Sequence, residues 1–247
     1  MRKMNFDRAA PVYYTDCCDS TNSLLKELAA QGEPEKTVLA AGRQTQGRGR
    51  MGRCFASPEG GVYMSMLLKP CLSERAPQLS VLAALAVRKA LLDCCGVQAD
   101  IKWPNDLLLG GKKICGILAE SVICGEALTV ILGIGVNLNT PAESFSPELC
   151  EIAASVYSVS GKECDRETFI RGLVCGLDEL HSRWSEGESF AEEYRAACIN
   201  VGRQVRLLRG EEEIYAYVIG IADDMSLAVR LPDGREEKIR FGEVSLR

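Results

Sequence analysis

Near Asn200 the spacing of apolar residues changes, and that change limits the folds open to the chain. Upstream, runs such as TVLAAGRQ, GGVYMSMLLKP and TVILGIGVNLN are continuous and apolar, and they alternate with segments whose apolar residues recur every three or four positions. Continuous runs of this length read as buried strands, and the three-to-four spacing is one face of a helix. Downstream, QVRLLRG, IYAYVIGIADDMSLAVRLPDG and REEKIRFGEVSLR alternate apolar and polar residues, with turns at Gly210, Asp223-Asp224 and Asp233-Gly234. Such short strands close into a small β-barrel. The two textures predict an α+β domain over residues 1–200 and a barrel over residues 201–247.

Within the first domain, DCCDSTN leads into SLLKELAAQG, a helix with capping residues at its start and Gly32 at its end. GGVYMSMLLKP is stopped by Pro70, and APQLSVLAALAVRKALLDCCG is a long helix ending at Gly96. VQADIKWPNDLLLGGKKICGILAESV reads as a strand, a turn and a hairpin, with Gly110-Gly111 supplying the positive φ of the hairpin turn. SPELCEIAASVYSV, DRETFIRGLVCGLDELHSRW and SFAEEYRAAC are helical.

Composition excludes several functions. The longest apolar stretches, Ser80 to Val87 and Val130 to Val136, are far below the ~18 residues that span a bilayer. The N-terminus turns polar too early for a signal peptide, so no membrane anchor and a cytoplasmic location are expected. A net charge of −5 opposes general binding of nucleic acid, so any phosphate site must be local. His181 is the only histidine, in an amphipathic helical context that suits a structural role better than a catalytic triad or a zinc site. Twelve scattered cysteines without C-x-x-C read as reduced thiols, mostly small core residues.

The chemistry concentrates in four segments. Gln44 to Arg53, QTQGRGRMGR, sets Arg48, Arg50 and Arg53 among Gly47, Gly49 and Gly52. Glycines let several N–H groups approach one anion, and arginines add fixed charge and bidentate hydrogen bonds, so the loop suits a phosphate. It contains G-x-G-x-x-G, but a strand follows rather than the helix of a dinucleotide-binding turn, and no segment has Walker A spacing. Lys102, Asn105, Asp106 and Lys113 fall at the two ends of one hairpin, where two cations beside a carboxylate make a reaction centre. Gly133 and Gly135 interrupt an apolar strand that ends at Asn137 and Asn139, which marks a bulge or a close approach by a ligand. Asp19-Ser20-Thr21-Asn22 caps a helix and presents polar groups at its N-terminus.

Taken in order, DSTN, QTQGRGRMGR, KWPNDLLLGGKKICGILAE and GIGVNLN resemble the biotin–protein ligases, also called biotin–[acetyl-CoA-carboxylase] ligases, from about Tyr13 to the C-terminal GEVSLR. The resemblance implies an α+β catalytic domain of the biotin/lipoate ligase type with a mixed sheet, followed by a small SH3-like barrel. It implies that biotin is activated by ATP with Mg²⁺ to biotinyl-5′-AMP, and that biotin then passes to a lysine of a biotin carboxyl carrier protein or domain. Lys113, Arg50 and Asp106 become the catalytic residues, with Asp106 holding the metal or orienting the incoming lysine. Ser20, Thr21, Asn22 and Gln44 would hold the ureido ring, and Gly47 with Arg48, Gly49 and Arg50 would meet the carboxylate or the adenylate. Gly116, Gly133 and Gly135 would line the biotin cleft beside Lys113. ATP would meet Arg48, Arg50, Arg53, Lys102, Asn105, Lys113 and Asn137, and Phe55, where the family often has tryptophan, would pack on adenine. The Arg/Gly loop is expected to close on biotin or adenylate. About a dozen residues precede the first strand, too few for the DNA-binding domain some relatives carry, so repressor activity is not expected. A lipoate or octanoate ligase, an RNA-binding protein and a biotin-sensing interaction protein without catalysis are the competing readings, and the presence of Lys113 and Arg50 opposes the last. A homodimer stays an open alternative, because edge-strand or barrel contacts are not readable from pattern.

Overall fold

The computed structural model describes residues 1–70, 73–124, 127–209, 212–240 and 243–246. In chain order the elements are β1 (Arg2–Met4), β2 (Val12–Cys18), α1 (Thr21–Ala30), β3 (Val38–Gln44), β4 (Val62–Leu68), α2 (Leu79–Cys95), β5 (Asp100–Lys102), β6 (Asp106–Leu109), β7 (Lys112–Cys124) and β8 (Ala127–Val136). The helices α3 (Pro147–Ile152), α4 (Val156–Ser160), α5 (Arg166–Ser185) and α6 (Ala191–Ala197) follow. The chain ends in β9 (Gln204–Arg209), β10 (Glu212–Ile221), β11 (Leu227–Arg230), β12 (Glu236–Ile239) and β13 (Glu243–Leu246).

Strands β1 to β8 form one mixed sheet in the order β1-β2-β3-β4-β8-β7-β6-β5. Only β2 and β3 pair in parallel, joined through α1; the other neighbours are antiparallel. All seven residues of β4 are buried, as its continuous apolar run requires of a strand covered on both faces. Leu25 of α1 packs with Leu39, Leu67 and Ile131 on one face, and α2 with α5 fills the other with Leu82, Leu85, Phe169 and Leu173. Residue Gly96 closes α2 in the left-handed conformation, and Gly110 and Gly111 take φ of 59° and 79° in the hairpin turn.

The C-terminal strands make a five-stranded antiparallel sheet in the order β12-β11-β10-β9-β13, the β unit expected from the alternating pattern. Turns fall at Asp223-Asp224 and Asp233-Gly234 as expected, while Gly210 lies outside the described residues. Val205, Leu207, Val218, Leu227 and Val244 belong to the same apolar cluster as Trp103 and Tyr194, so this unit shares a core with the mixed sheet.

Two expectations are corrected. SPELCEIAASVYSV is not one helical piece: Ala153 pairs with Lys113 as an isolated bridge and Ala154 N–H donates to the Lys113 carbonyl at 3.0 Å, which interrupts the helix between α3 and α4. Nor are the cysteines all reduced thiols, or mostly core residues. Cys95, at the end of α2, is disulfide-bonded to Cys164, and of the free cysteines described only Cys115 and Cys198 are buried. The pairing arises because a helix end meets a segment 69 positions away, which no local spacing announces.

Candidate active site

A cleft of about 600 Å³ opens where the start of α1, the loop after β3, the β6–β7 hairpin and the glycines of β7 and β8 converge. One end is a hydrogen-bonding network of uncharged side chains that terminates on the carboxylate of Glu120. Ser20 caps α1, and the Thr21 amide and hydroxyl both donate to Gln44 Oε1, at 2.8 and 3.1 Å. Gln44 Nε2 donates in turn to Ser57 Oγ at 2.8 Å. Beneath them Ser65, wholly buried in β4, donates to Asn22 Oδ1 at 2.6 Å and lies 2.8 Å from Thr21 Oγ1. Asn22 then points its amide nitrogen at Glu120 Oε2, 2.7 Å away. Ser57, Ser65 and Glu120 are outside the set expected from sequence. A serine within VYMSMLL is the one signal that marks Ser65, because a buried hydroxyl in an apolar strand requires a partner.

Glycine is required where this network and the loop pack. A Cβ on Gly133 would overlap Asn22 Oδ1, and one on Gly47 would overlap Phe55 O and Ser57 Oγ. On Gly116 and Gly135 a Cβ would meet the Phe55 ring at 2.9 and 2.6 Å. The Phe55 ring therefore rests on two of the three glycines expected to line the biotin cleft, Gly116 and Gly135. The loop itself is folded as a narrow hairpin: Phe55 N–H donates to Gly47 O, Gly49 N–H to Arg53 O, and Arg48 bridges to Cys54. Met51, at its tip, is 78% exposed with φ of 56°.

The other end of the cleft is ionic. Lys113 Nζ stands 2.7 Å from Asp106 Oδ1 and 5.8 Å from the centre of the Phe55 ring. Arg50 donates to Asn105 Oδ1 at 3.1 Å, while Asn105 Nδ2 donates to Ile117 O at 2.9 Å, so the loop, the turn and β7 are tied together. Arg48, Arg50, Arg53, Lys102 and Lys113 line the cleft against the carboxylates of Asp106 and Glu151. Five cations against two anions make a local positive field in a chain of net charge −5.

The turn that carries Asn105 and Asp106 is held from the C-terminal side. Trp103 and Pro104 are joined by a cis peptide, and Trp103, 3% exposed, donates its backbone N–H to Asn200 Oδ1 at 2.8 Å and its indole N–H to Met225 O at 3.0 Å. Tyr194 of α6 donates to Pro104 O at 3.3 Å. Val244 of β13 lines the cleft.

Of the residues expected from sequence, the structure brings Ser20, Thr21, Asn22, Gln44, Arg48, Gly49, Arg50, Arg53, Phe55, Lys102, Asn105, Asp106, Lys113, Gly116, Gly133 and Gly135 around this one cleft. Gly47 and Asn137 stand outside its lining; buried Asn137 donates to Ala154 O at 3.1 Å behind Lys113. His181 is buried beside Trp184, ring centres 5.7 Å apart, away from the cleft. Among the described residues no three His, Cys, Asp or Glu side chains form a metal-binding group, and no helix is long and apolar enough to cross a membrane.

Residues 14–137 match the sequence profile of the Biotin/lipoate A/B protein ligase family, just over half the chain. The chain belongs to the biotin/lipoate A/B protein ligase family. Residues 201–247 match the Biotin protein ligase C terminal domain, the stretch predicted to form the separate β unit. The ligase is 38% identical over 241 residues to the bifunctional ligase/repressor BirA of Bacillus subtilis (strain 168), covering 94% of this chain and 73% of that one. It is 35% identical to the biotin–[acetyl-CoA-carboxylase] ligase of Paracoccus denitrificans, covering 88% and 93%. Among solved structures it superimposes on the biotin protein ligase of Aquifex aeolicus in complex with biotin and ATP with a TM-score of 0.83, at 32% identity, covering 96% of this chain and 98% of that one. The family resemblance and the fold expected from sequence are both borne out.

Proposed function

We propose that this ligase joins biotin to ATP as biotinyl-5′-AMP and then to a lysine of a biotin carboxyl carrier domain, and that the cleft divides this work between its two ends. The observation that carries the reading is the polarity of the cleft: uncharged donors and acceptors at Ser20, Thr21, Asn22 and Gln44, cations at Arg48, Arg50 and Lys113. A ureido ring is a neutral group with two N–H donors and one carbonyl, which the first end complements. A carboxylate attacking a phosphate brings two anions together, which the second end counters with charge fixed before reaction.

In the first step the carboxylate oxygen attacks the α-phosphorus and pyrophosphate leaves. Lys113 and Arg50 stabilise the charge that builds on the phosphoryl oxygens, Lys113 held by Asp106 and Arg50 by Asn105. In the second step the neutral amine of the acceptor lysine attacks the acyl carbon and AMP leaves; Asp106, beside Lys113, accepts a hydrogen bond from the incoming amine and takes the proton the nitrogen loses as the amide forms. Asp106, with Asn105, also suits Mg²⁺, which is commonly held by one or two carboxylates together with substrate phosphates. Bound there, the ion would supply positive charge to the phosphates.

Incubation with biotin, Mg²⁺·ATP and a biotin carboxyl carrier domain tests the whole reaction by mass spectrometry. The expected result is one biotinyl group on one acceptor lysine, absent when that lysine is replaced by arginine; a carrier that stays unmodified while the lipoyl carrier gains lipoate contradicts the reading.

A further inference from the structure

Glu120 sits on β7 beyond Leu118, at the edge of the cleft, and the residue roles implied by the family motifs give it none. Its carboxylate gathers three donors. Oε2 accepts from Asn22 Nδ2 at 2.7 Å, and Oε1 accepts from Lys26 Nζ at 2.8 Å while facing Arg48 NH1 at 3.5 Å. Burial works to raise its pKa, but hydrogen bonds from Lys26 and Asn22 and the charges of Lys26 and Arg48 hold it below the ordinary range, so it is ionised at neutral pH.

Arg48 belongs both to this cluster and to the lining of the cleft. Its backbone is fixed by the bridge to Cys54, yet half of its side chain, 51%, is exposed. The guanidinium can therefore swing without unfolding the loop. A half-exposed pair at 3.5 Å is longer than a charge-assisted hydrogen bond and weak, whereas a phosphate in the cleft can take the guanidinium at full, bidentate contact, so it outcompetes the carboxylate. Lys26, closer to Glu120, keeps the carboxylate neutralised when Arg48 leaves.

We infer that Glu120 is a positioning residue that holds Arg48 in the empty enzyme and gives it up to the anionic group of the bound nucleotide. The nature of that nucleotide rests on the ligase reading; the pairing of Arg48 does not. The sign of the effect separates this role from a purely structural one, because removing the competing carboxylate should improve nucleotide binding.

Glu120→Gln keeps an acceptor for Asn22 and removes the charge. Its KM for ATP in biotin-dependent ATP–pyrophosphate exchange should fall by about 2- to 5-fold, with the KM for biotin shifting less than about 2-fold. Trypsin nicking between Gln44 and Arg53 should be faster than wild type in the empty protein and equal to it with biotin and ATP bound. Lys26→Met should move both readouts the other way, since Glu120 then has one cation fewer and holds Arg48 more firmly. An ATP KM that is unchanged or raised in Glu120→Gln, or a Lys26→Met shift in the same direction, overturns the inference. A wild-type protein without biotin-dependent exchange would overturn the ligase reading instead, and the nicking rates of the empty proteins would still decide how Arg48 is held.

Discussion

Replacing Trp103 with phenylalanine isolates one atom pair that joins the C-terminal sheet to the turn bearing Asn105 and Asp106. Phenylalanine keeps the backbone donor to Asn200 and most of the buried ring, and it loses the indole N–H that reaches Met225 O at 3.0 Å. A buried acceptor deprived of its donor costs about 1–3 kcal/mol. For a chain of this size each kcal/mol lowers Tm by about 2–4 °C, so a fall of about 2–12 °C is expected by calorimetry. Hydrogen exchange should rise first at the turn around Met225 and in β11, because that is where the bond ends. The lost anchor also loosens Trp103 and Pro104, so the kcat of ATP–pyrophosphate exchange should drop, by up to about 100-fold if Asp106 shifts by an ångström. Biotin affinity should hold, since Ser20, Thr21 and Gln44 are placed by α1 and β3. Unchanged Tm and unchanged protection over 222–231 would refute the claim that this bond seats the C-terminal sheet. Loss of biotin affinity with kcat intact would refute the claim that the turn serves the ionic end of the cleft.

Lys113→Met should lower the rate of exchange by about 100- to 1,000-fold, the cost of removing one preorganised charge donor, while a binding titration finds biotin affinity only modestly weaker; full ligation with weak biotin binding alone would remove Lys113 from the chemical step. Ser65→Ala leaves Asn22 Oδ1 without its 2.6 Å donor in a fully buried site and should cost about 1–3 kcal/mol in denaturant unfolding together with a higher KM for biotin. His181 has its pKa lowered by burial foremost, so the folded state binds fewer protons than the unfolded one once pH falls below about 6.5. Stability should therefore decline as pH drops through that value toward the lower folded pKa, and a Tm series from pH 8 to 5 should show that slope reduced in His181→Phe.

What the sequence made legible was what short-range pattern can carry. The apolar run of β4, the glycine turn at 110–111 and the change of period near Asn200 each determine an element by local physics, and all three elements are present. The Arg/Gly loop and the Lys102–Lys113 hairpin stood out as candidates because charge and glycine are dense in both, and the structure brings the two segments to one cleft. Residues that act across long separations were not. Ser65 meets Asn22 over 43 positions and Glu120 meets it over 98, and nothing in their own neighbourhoods distinguishes them as partners. Trp103 read as a core residue closing a turn; its indole bond spans 122 positions and exists only because the two sheets share a core. The helix break at Ala153 has the same origin, since the strand-like pairing with Lys113 overrides local helical spacing. Phe55 rests on Gly116 and Gly135 because two residues without Cβ leave a ring-sized space, a long-range contact that its own neighbourhood does not announce; its packing on adenine stands as a proposal.

ATP–pyrophosphate exchange on the purified protein, run in parallel with biotin, lipoate and octanoate, tests the assignment of the cleft most directly. Exchange that depends on biotin alone is expected, because the neutral network at Thr21, Asn22 and Gln44 complements a ureido ring. Exchange supported by lipoate or octanoate, and not by biotin, would contradict it.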